Sequence, residues 1–248
     1  MVIARAFKYR CAACGVGLRD RSKEHFWPEW LISRTGTHKT SVRLTQAKRV
    51  NPRAFTVPLC AACNRDFGRE LEGPVAGIFR DLEAGLGLSD SEAELLIRWL
   101  WKLGGLAWMY GHPQAVYATR PTLRNRVLRP IGDIRSQLTL AVSIIETIDP
   151  KFNDAPMGLD SENEEDTVFV AGVFSRTALM VLLSGFESGV PEQFSLYRLA
   201  PLGALDRDAK LFHPRCGFQT CVEAVATTRV AALFLSHAHD LELRQRAS

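Results

Sequence analysis

The chain has 248 residues, 46% of them hydrophobic, with a mean hydropathy of −0.04 and a formal net charge of +4. Those values exclude an intrinsically disordered chain and supply enough apolar material for a core without obligatory metals or disulfides. The longest strongly apolar run, Ala178 to Leu183, is far too short to span a bilayer.

The charge is unevenly spread. Residues 1–70 hold 14 Lys/Arg against 5 Asp/Glu, a net of +9, and the remainder is net −5. A basic segment on an acidic chain points to a polyanionic partner. The opening MVIARAFKYRC lacks the apolar centre of a signal peptide, so the expected compartment is the cytoplasm. Paired cysteines there read as metal ligands rather than disulfides.

In chain order, Cys11-Ala-Ala-Cys14 is followed by Gly15 and Gly17, which suit a tight knuckle turn. A short apolar patch surrounds His25. The polar, basic stretch from Arg34 to Arg53 reads as a long loop. Cys60-Ala-Ala-Cys63 and Asn64 follow, and NRDFGRELEG predicts a short helix ending near Gly73-Pro74. Ser89 with Glu92 three residues on forms a capping box, opening a helix that carries Leu95, Leu96, Trp99, Leu100, Leu103, Leu106 and Ala107 at one-face spacing. Gly111-His112-Pro113 ends it, and a short helix is expected over Thr122 to Leu128.

From about residue 136 the character changes. Leu138–Ile148, Thr167–Phe174, Ala178–Phe186 and Phe194–Leu199 are rich in β-branched or aromatic residues and read as strands. Asp160 to Asp166 is an acidic loop. Cys221 to His239 predicts a terminal helix, with Val222, Val225, Ala226, Val230, Leu233 and Phe234 on its inner side. The fold class is therefore α+β. Its expected parts are a module over 1–75, a helical segment over 76–135 and a mixed α/β region over 136–248.

Two C-x-x-C units place four thiolates so that each pair grips a tetrahedral zinc through its own turn. Cys11, Cys14, Cys60 and Cys63 are thus expected to bind one structural zinc. With sulfur at all four positions, that zinc has no open place for substrate. Cys216 and Cys221, with His213 nearby, lack knuckle spacing and read as free thiols.

The order C-x-x-C, then Ser22-Lys23-Glu24-His25 and Pro28-Glu29-Trp30-Leu31, then C-x-x-C-N resembles the zinc-containing HNH (His-Me finger) endonucleases over about residues 9–73. The resemblance implies a zinc-stapled ββα-metal finger. It assigns His25 as general base, and Glu24 and Asn64 as ligands of a catalytic Mg²⁺ or Mn²⁺. Phosphodiester hydrolysis needs an activated water and a metal to neutralise developing charge, and histidine suits the base's role near pH 7. The family's middle Asn has no clear counterpart: Asn51 is the nearest, and Thr56 or a backbone carbonyl is the alternative orienting group for His25. Asp66 is either an extra metal neighbour or a first-turn helix acid.

Arg43, Lys48, Arg49, Arg53, Arg65 and Arg69, with Lys39 and Arg34 as weaker candidates, would contact phosphates, giving affinity without sequence reading. The expected partner is nucleic acid, DNA before RNA. A homodimer or a protein partner of the C-terminal region is also open. The leading reading is a metal-dependent endonuclease, conceivably in a defence-type effector. The alternative is a catalytically silent zinc module that binds nucleic acid or protein.

Overall fold

The computed structural model describes residues 10–37, 42–45, 48–111, 121–147, 169–204 and 207–247. It is an α+β protein that divides into two compact units. The first comprises the chain up to Gly77 together with Arg98–Ile131. The second comprises Ile78–Ile97 and the described residues from Gly132 onward. The segment 76–135 is shared between the two. No helix among the described residues is long and apolar enough to cross a membrane.

In the first unit, β1 (Arg21–His25) pairs antiparallel with β4 (Thr56–Cys60), and α2 (Ala61–Phe67) follows directly. Between the strands lie α1 (Glu29–Thr35) and a two-stranded ribbon, β2 (Val42–Thr45) with β3 (Lys48–Val50). The stretch expected to be a loop therefore contains a ribbon. Its strands are four and three residues long, too short for alternation to mark them as strands. Phe26, Trp27, Phe55, Val57 and Leu59 form the apolar centre beside β1 and β4.

The helix after Cys63 does not stop at Gly73-Pro74. A π-helical turn, Gly68–Glu72, links α2 to α3 (Gly73–Glu83), and Gly73 N–H reaches Gly68 O, five residues back. That wider turn breaks the regular hydrogen-bond pattern where Pro74, lacking an N–H, would otherwise interrupt it. The capping box forms as expected: Ser89 N–H donates to Glu92 Oε2 at 2.9 Å, and Glu92 N–H donates to Ser89 Oγ at 3.2 Å. It opens α4 (Asp90–Gly111). Thr122 caps α5 (Leu123–Leu128). A Cβ on Gly105 would lie 2.4 Å from Leu123 Cδ1, so the glycine lets α4 and α5 approach.

The second unit is built on a mixed sheet. β6 (Val170–Phe174), β7 (Thr177–Leu183), β5 (Leu138–Thr147) and β8 (Ser195–Arg198) pair antiparallel in that order. The edge of β5 opposite β7 is divided. β8 occupies Thr139–Val142, and β9 (Cys216–Thr220), which the sequence did not suggest, runs parallel from Ile144 to Thr147. The long helix α6 (Cys221–Ala247) covers one face, packing on β5, β6 and β9.

The inner face of α6 differs from expectation. Cys221, Ala224, Val225, Thr228, Ala231, Ala232 and Leu235 face the sheet, whereas Val222, Val230, Leu233 and Phe234 are exposed. Apolar residues lie on both sides of this helix, so periodicity alone cannot choose. The sheet takes the small ones, which allow close approach.

A buried ionic network ties the first turns of α4 to the end of β8. Arg135, 1% exposed, donates to Asp90, Glu94 and the Ala200 carbonyl, and Arg207 donates to both carboxylates. Burial alone would raise the Asp90 pKa. The Ala200 N–H and the Arg207 guanidinium overcome it and hold the carboxyl below its ordinary value. Removing one partner strands buried charge, so Arg135→Met is expected to destabilise the fold by about 3–5 kcal/mol, read from urea unfolding. A loss below 1 kcal/mol would show that the network is dispensable.

Candidate functional site

The first knuckle is a tight turn. Gly15 has φ 73°, its N–H donates to Cys11 O at 2.8 Å, and Cys11 N–H donates to Val16 O at 2.9 Å. Ala12 N–H donates to Pro58 O at 3.0 Å and fastens the knuckle to β4. The second knuckle lies where β4 becomes α2. Cys60 caps that helix, its sulfur accepting from Cys63 N–H at 3.5 Å.

Cys11, Cys14, Cys60 and Cys63 converge, with all four sulfurs within 4.8 Å of one another. Cys14 and Cys60 are 3.9 Å apart at sulfur, and none of the four is in a disulfide. Sulfurs at about 2.3 Å around a tetrahedral zinc lie about 3.8 Å apart, so the set fits that ion. The protonation pattern agrees. The Cys63 thiol holds Cys11 down to about 5, the same hydrogen bond and burial push Cys63 up, and burial pushes Cys14 up to about 11. Thiols this crowded cannot all ionise without a cation among them.

Arg124 supports this centre and was not singled out by the sequence. Its Nη1 donates to Cys63 Sγ at 3.3 Å, its Nη2 to Asp66 Oδ2 at 2.5 Å, and its backbone N–H to Ala13 O at 2.9 Å. A cationic donor on a thiolate offsets the negative charge of four sulfurs around zinc. Asp66 is therefore a guanidinium acceptor, and Arg124 holds its carboxyl below the ordinary range.

Strand alternation separates the two neighbouring site residues. Glu24 is buried in β1, whereas His25 is half-buried at its end, with Thr56 directly opposite in register. The His25 ring makes no hydrogen bond among the described residues, and Glu29 is its charged neighbour. Asn64, in the first turn of α2, is half-buried, and its carboxamide has no partner among the described residues. Asn51 is committed elsewhere: its side chain accepts from Arg53 N–H at 2.9 Å and caps the 3₁₀ turn Pro52–Ala54.

Glu24 is committed as well. Lys102, fully buried on α4, donates to both Glu24 and Glu72, with its ammonium 5.5 Å from the centre of the Phe67 ring. Burial opposes the Lys102 charge, but the two carboxylates win and raise its pKa. Burial pushes Glu24 up to about 7; Lys102 pulls against this and the charge of Glu72 adds to it. The π-helical turn supplies Glu72 to this group. Lys102 was legible as an anomaly, a lysine three residues after Trp99 and four before Leu106 on an apolar helix face.

Of the basic residues, Arg53 pairs with Glu29, Arg65 with Asp66 and Arg69 with Glu70, all with exposed guanidinium groups. Such pairs are worth about 0–1 kcal/mol and exchange readily for a phosphate. Arg43 stands opposite Arg49 in the β2–β3 ribbon, next to Lys48, and Arg34 is exposed on α1. The side chains of Arg43, Lys48 and Arg49 lie outside the described residues, as does Lys39. Cys216 is exposed and Cys221 buried, and the first four cysteines are the one metal-competent cluster among the described residues.

No family model, curated protein or solved structure matches this chain.

Protein purified under reducing conditions is expected to contain one zinc per chain by elemental analysis. Cys63→Ser should lower that content and unfold the first unit, and a zinc-free wild type that folds normally would refute the centre. Lys102→Met, which strands two carboxylates, should cost about 3–5 kcal/mol in denaturant unfolding. Glu24 binds its proton more tightly folded than unfolded. Its contribution to stability is therefore complete below its ordinary 4.5 and lost as pH rises through about 7. Glu24→Gln should remove that fall, and identical pH profiles for variant and wild type would show that Glu24 does not titrate there.

Proposed function

We propose that the first unit is a zinc-stapled His-Me finger that hydrolyses phosphodiester bonds, with DNA as the favoured substrate. The observation that carries this reading is selective availability. His25 and Asn64 are partly exposed, and neither the imidazole nor the carboxamide makes a hydrogen bond among the described residues, beside a ββα frame that carries the four cysteines. An open imidazole can take a proton from an attacking water. The backbone of β1, paired to Thr56 in β4, fixes where the imidazole begins. The exposed arginines 53, 65 and 69 supply phosphate contacts by exchanging their carboxylate partners.

A bound Mg²⁺ or Mn²⁺ would supply the Lewis acid that neutralises charge developing on the phosphate. The Asn64 carboxamide is free to bind it. The Glu24 carboxylate already holds the Lys102 ammonium, so it does not fit as a metal ligand without giving up that pair. This one observation favours a second reading, a zinc module that grips nucleic acid without cutting it.

Plasmid nicking with Mg²⁺ or Mn²⁺ separates the two. The first reading expects nicking by wild type and a loss of at least about a hundredfold in His25→Ala, the usual scale of a general base, with zinc content and unfolding midpoint unchanged. Binding without cutting under either metal would establish the second reading.

A further inference from the structure

The four clustered sulfurs are not equivalent. Cys11 and Cys63 are fully buried, whereas Cys14 and Cys60 are partly exposed. The cluster thus has a dry pair inside and a wet pair at its rim, and each pair takes one sulfur from each knuckle. The dry pair is engaged with its surroundings. Cys11 and Cys63 share a side-chain hydrogen bond, and Arg124 Nη1 donates to Cys63 Sγ at 3.3 Å. The rim pair reaches solvent with its two sulfurs 3.9 Å apart. A disulfide holds them at about 2.05 Å, so they must approach by about 2 Å to form one.

A small oxidant such as hydrogen peroxide reaches exposed thiolates and is kept from buried ones. Cysteines that ligate zinc are thiolates. Attack by the Cys14 sulfur on one peroxide oxygen breaks the O–O bond, forms a sulfenic acid and releases hydroxide. The Cys60 sulfur then attacks the Cys14 sulfur, the S–S bond forms, the S–O bond breaks and a second hydroxide leaves. Two electrons have passed from the two sulfurs to the peroxide. Zinc, left with two of its four ligands, departs. The end state is compensated: Cys11 and Cys63 take up one proton between them, and Arg124 lies against the single charge that remains. Pairing within either knuckle would instead consume a buried sulfur and break that inner hydrogen bond.

Cys14 and Cys60 also lie 46 positions apart, one in each knuckle. Their bond closes nearly the same loop that zinc closes, so the cross-link outlasts the metal. We propose that Cys14 and Cys60 are a peroxide-sensitive modification site, at which a disulfide between the knuckles replaces zinc and keeps the first unit folded. This rests on the zinc centre and is independent of the hydrolytic reading.

The test uses the full chain carrying Cys216→Ser, which removes the exposed thiol of the second unit. Zinc content is measured first. Hydrogen peroxide is then added, zinc release is followed with a chromogenic chelator, and free thiols are counted. Peroxide should speed release at least about tenfold, with two thiols lost for each zinc released. Peptide mapping without reduction should find Cys14 joined to Cys60. Circular dichroism of the oxidised, zinc-free protein should match that of the zinc form, and dithiothreitol with chelator should then unfold the first unit. A chain that purifies without zinc overturns the centre itself and the exchange with it. With zinc present, the exchange alone is overturned by a release rate that peroxide leaves unchanged, by any other pairing or oxidation product at these cysteines, or by loss of helical signal on oxidation.

Discussion

Four sulfurs converge at one point in the first unit, and a zinc ion among them would hold that unit in its shape. The two knuckles lie 45 residues apart in sequence, and joining them removes about 4 kcal/mol of chain entropy from the unfolded state on the loop-closure scale. That constraint would hold the first knuckle against the turn from β4 into α2, where Ala12 N–H already donates to Pro58 O. With both ends pinned, β1 and β4 have a fixed register, and His25 falls opposite Thr56. Arg124 extends the constraint to α5 by touching Cys63 and Ala13 together. A zinc held by four sulfurs would have no open position for catalysis. It would set the geometry on which any chemistry at His25 would depend.

A second charge cluster stands beside it. Lys102 sits between Glu24 and Glu72 in the interior, where one positive charge faces two negative ones. Such a group is a compensated cation site built from the chain itself. It explains why a carboxylate that the motif would spend on a metal is inward-facing and dry. It also couples three elements, since β1, the π-helical turn and α4 each contribute one member.

Much of this was readable beforehand because it depends on local chemistry. Paired cysteines at knuckle spacing, the Ser89–Glu92 capping box, the Thr122 cap and four strands of the larger sheet all carry short-range signals, and the structure contains each of them. What escaped depends on tertiary context. β9 is a short, largely exposed strand that gains its role only by lying beside β5. The inner face of α6 was misassigned because both of its faces carry apolar residues, and the sheet selected the one rich in alanine. The Lys102–Glu24 and Arg124–Cys63 contacts join residues more than fifty positions apart, and no local pattern encodes such a pairing. At the site itself, the residue types at positions 24, 25 and 64 were legible, but the burial of Glu24 was not, because it is decided by a lysine on a distant helix.

The divided edge of β5 bears on how the second unit comes together during synthesis. β7 arrives soon after β5 and can pair with it along most of its length. The opposite edge waits for two separate segments, first β8, which closely follows β7, and then β9. Until both arrive, a largely apolar ten-residue strand offers unpaired N–H and C=O groups to any neighbour. Nascent chains stalled or truncated before Cys216 would keep the Ile144–Thr147 half of that edge open. Such a chain is a natural client for chaperones, and its hazard lies in strand-to-strand association between incomplete copies rather than in loss of the sheet.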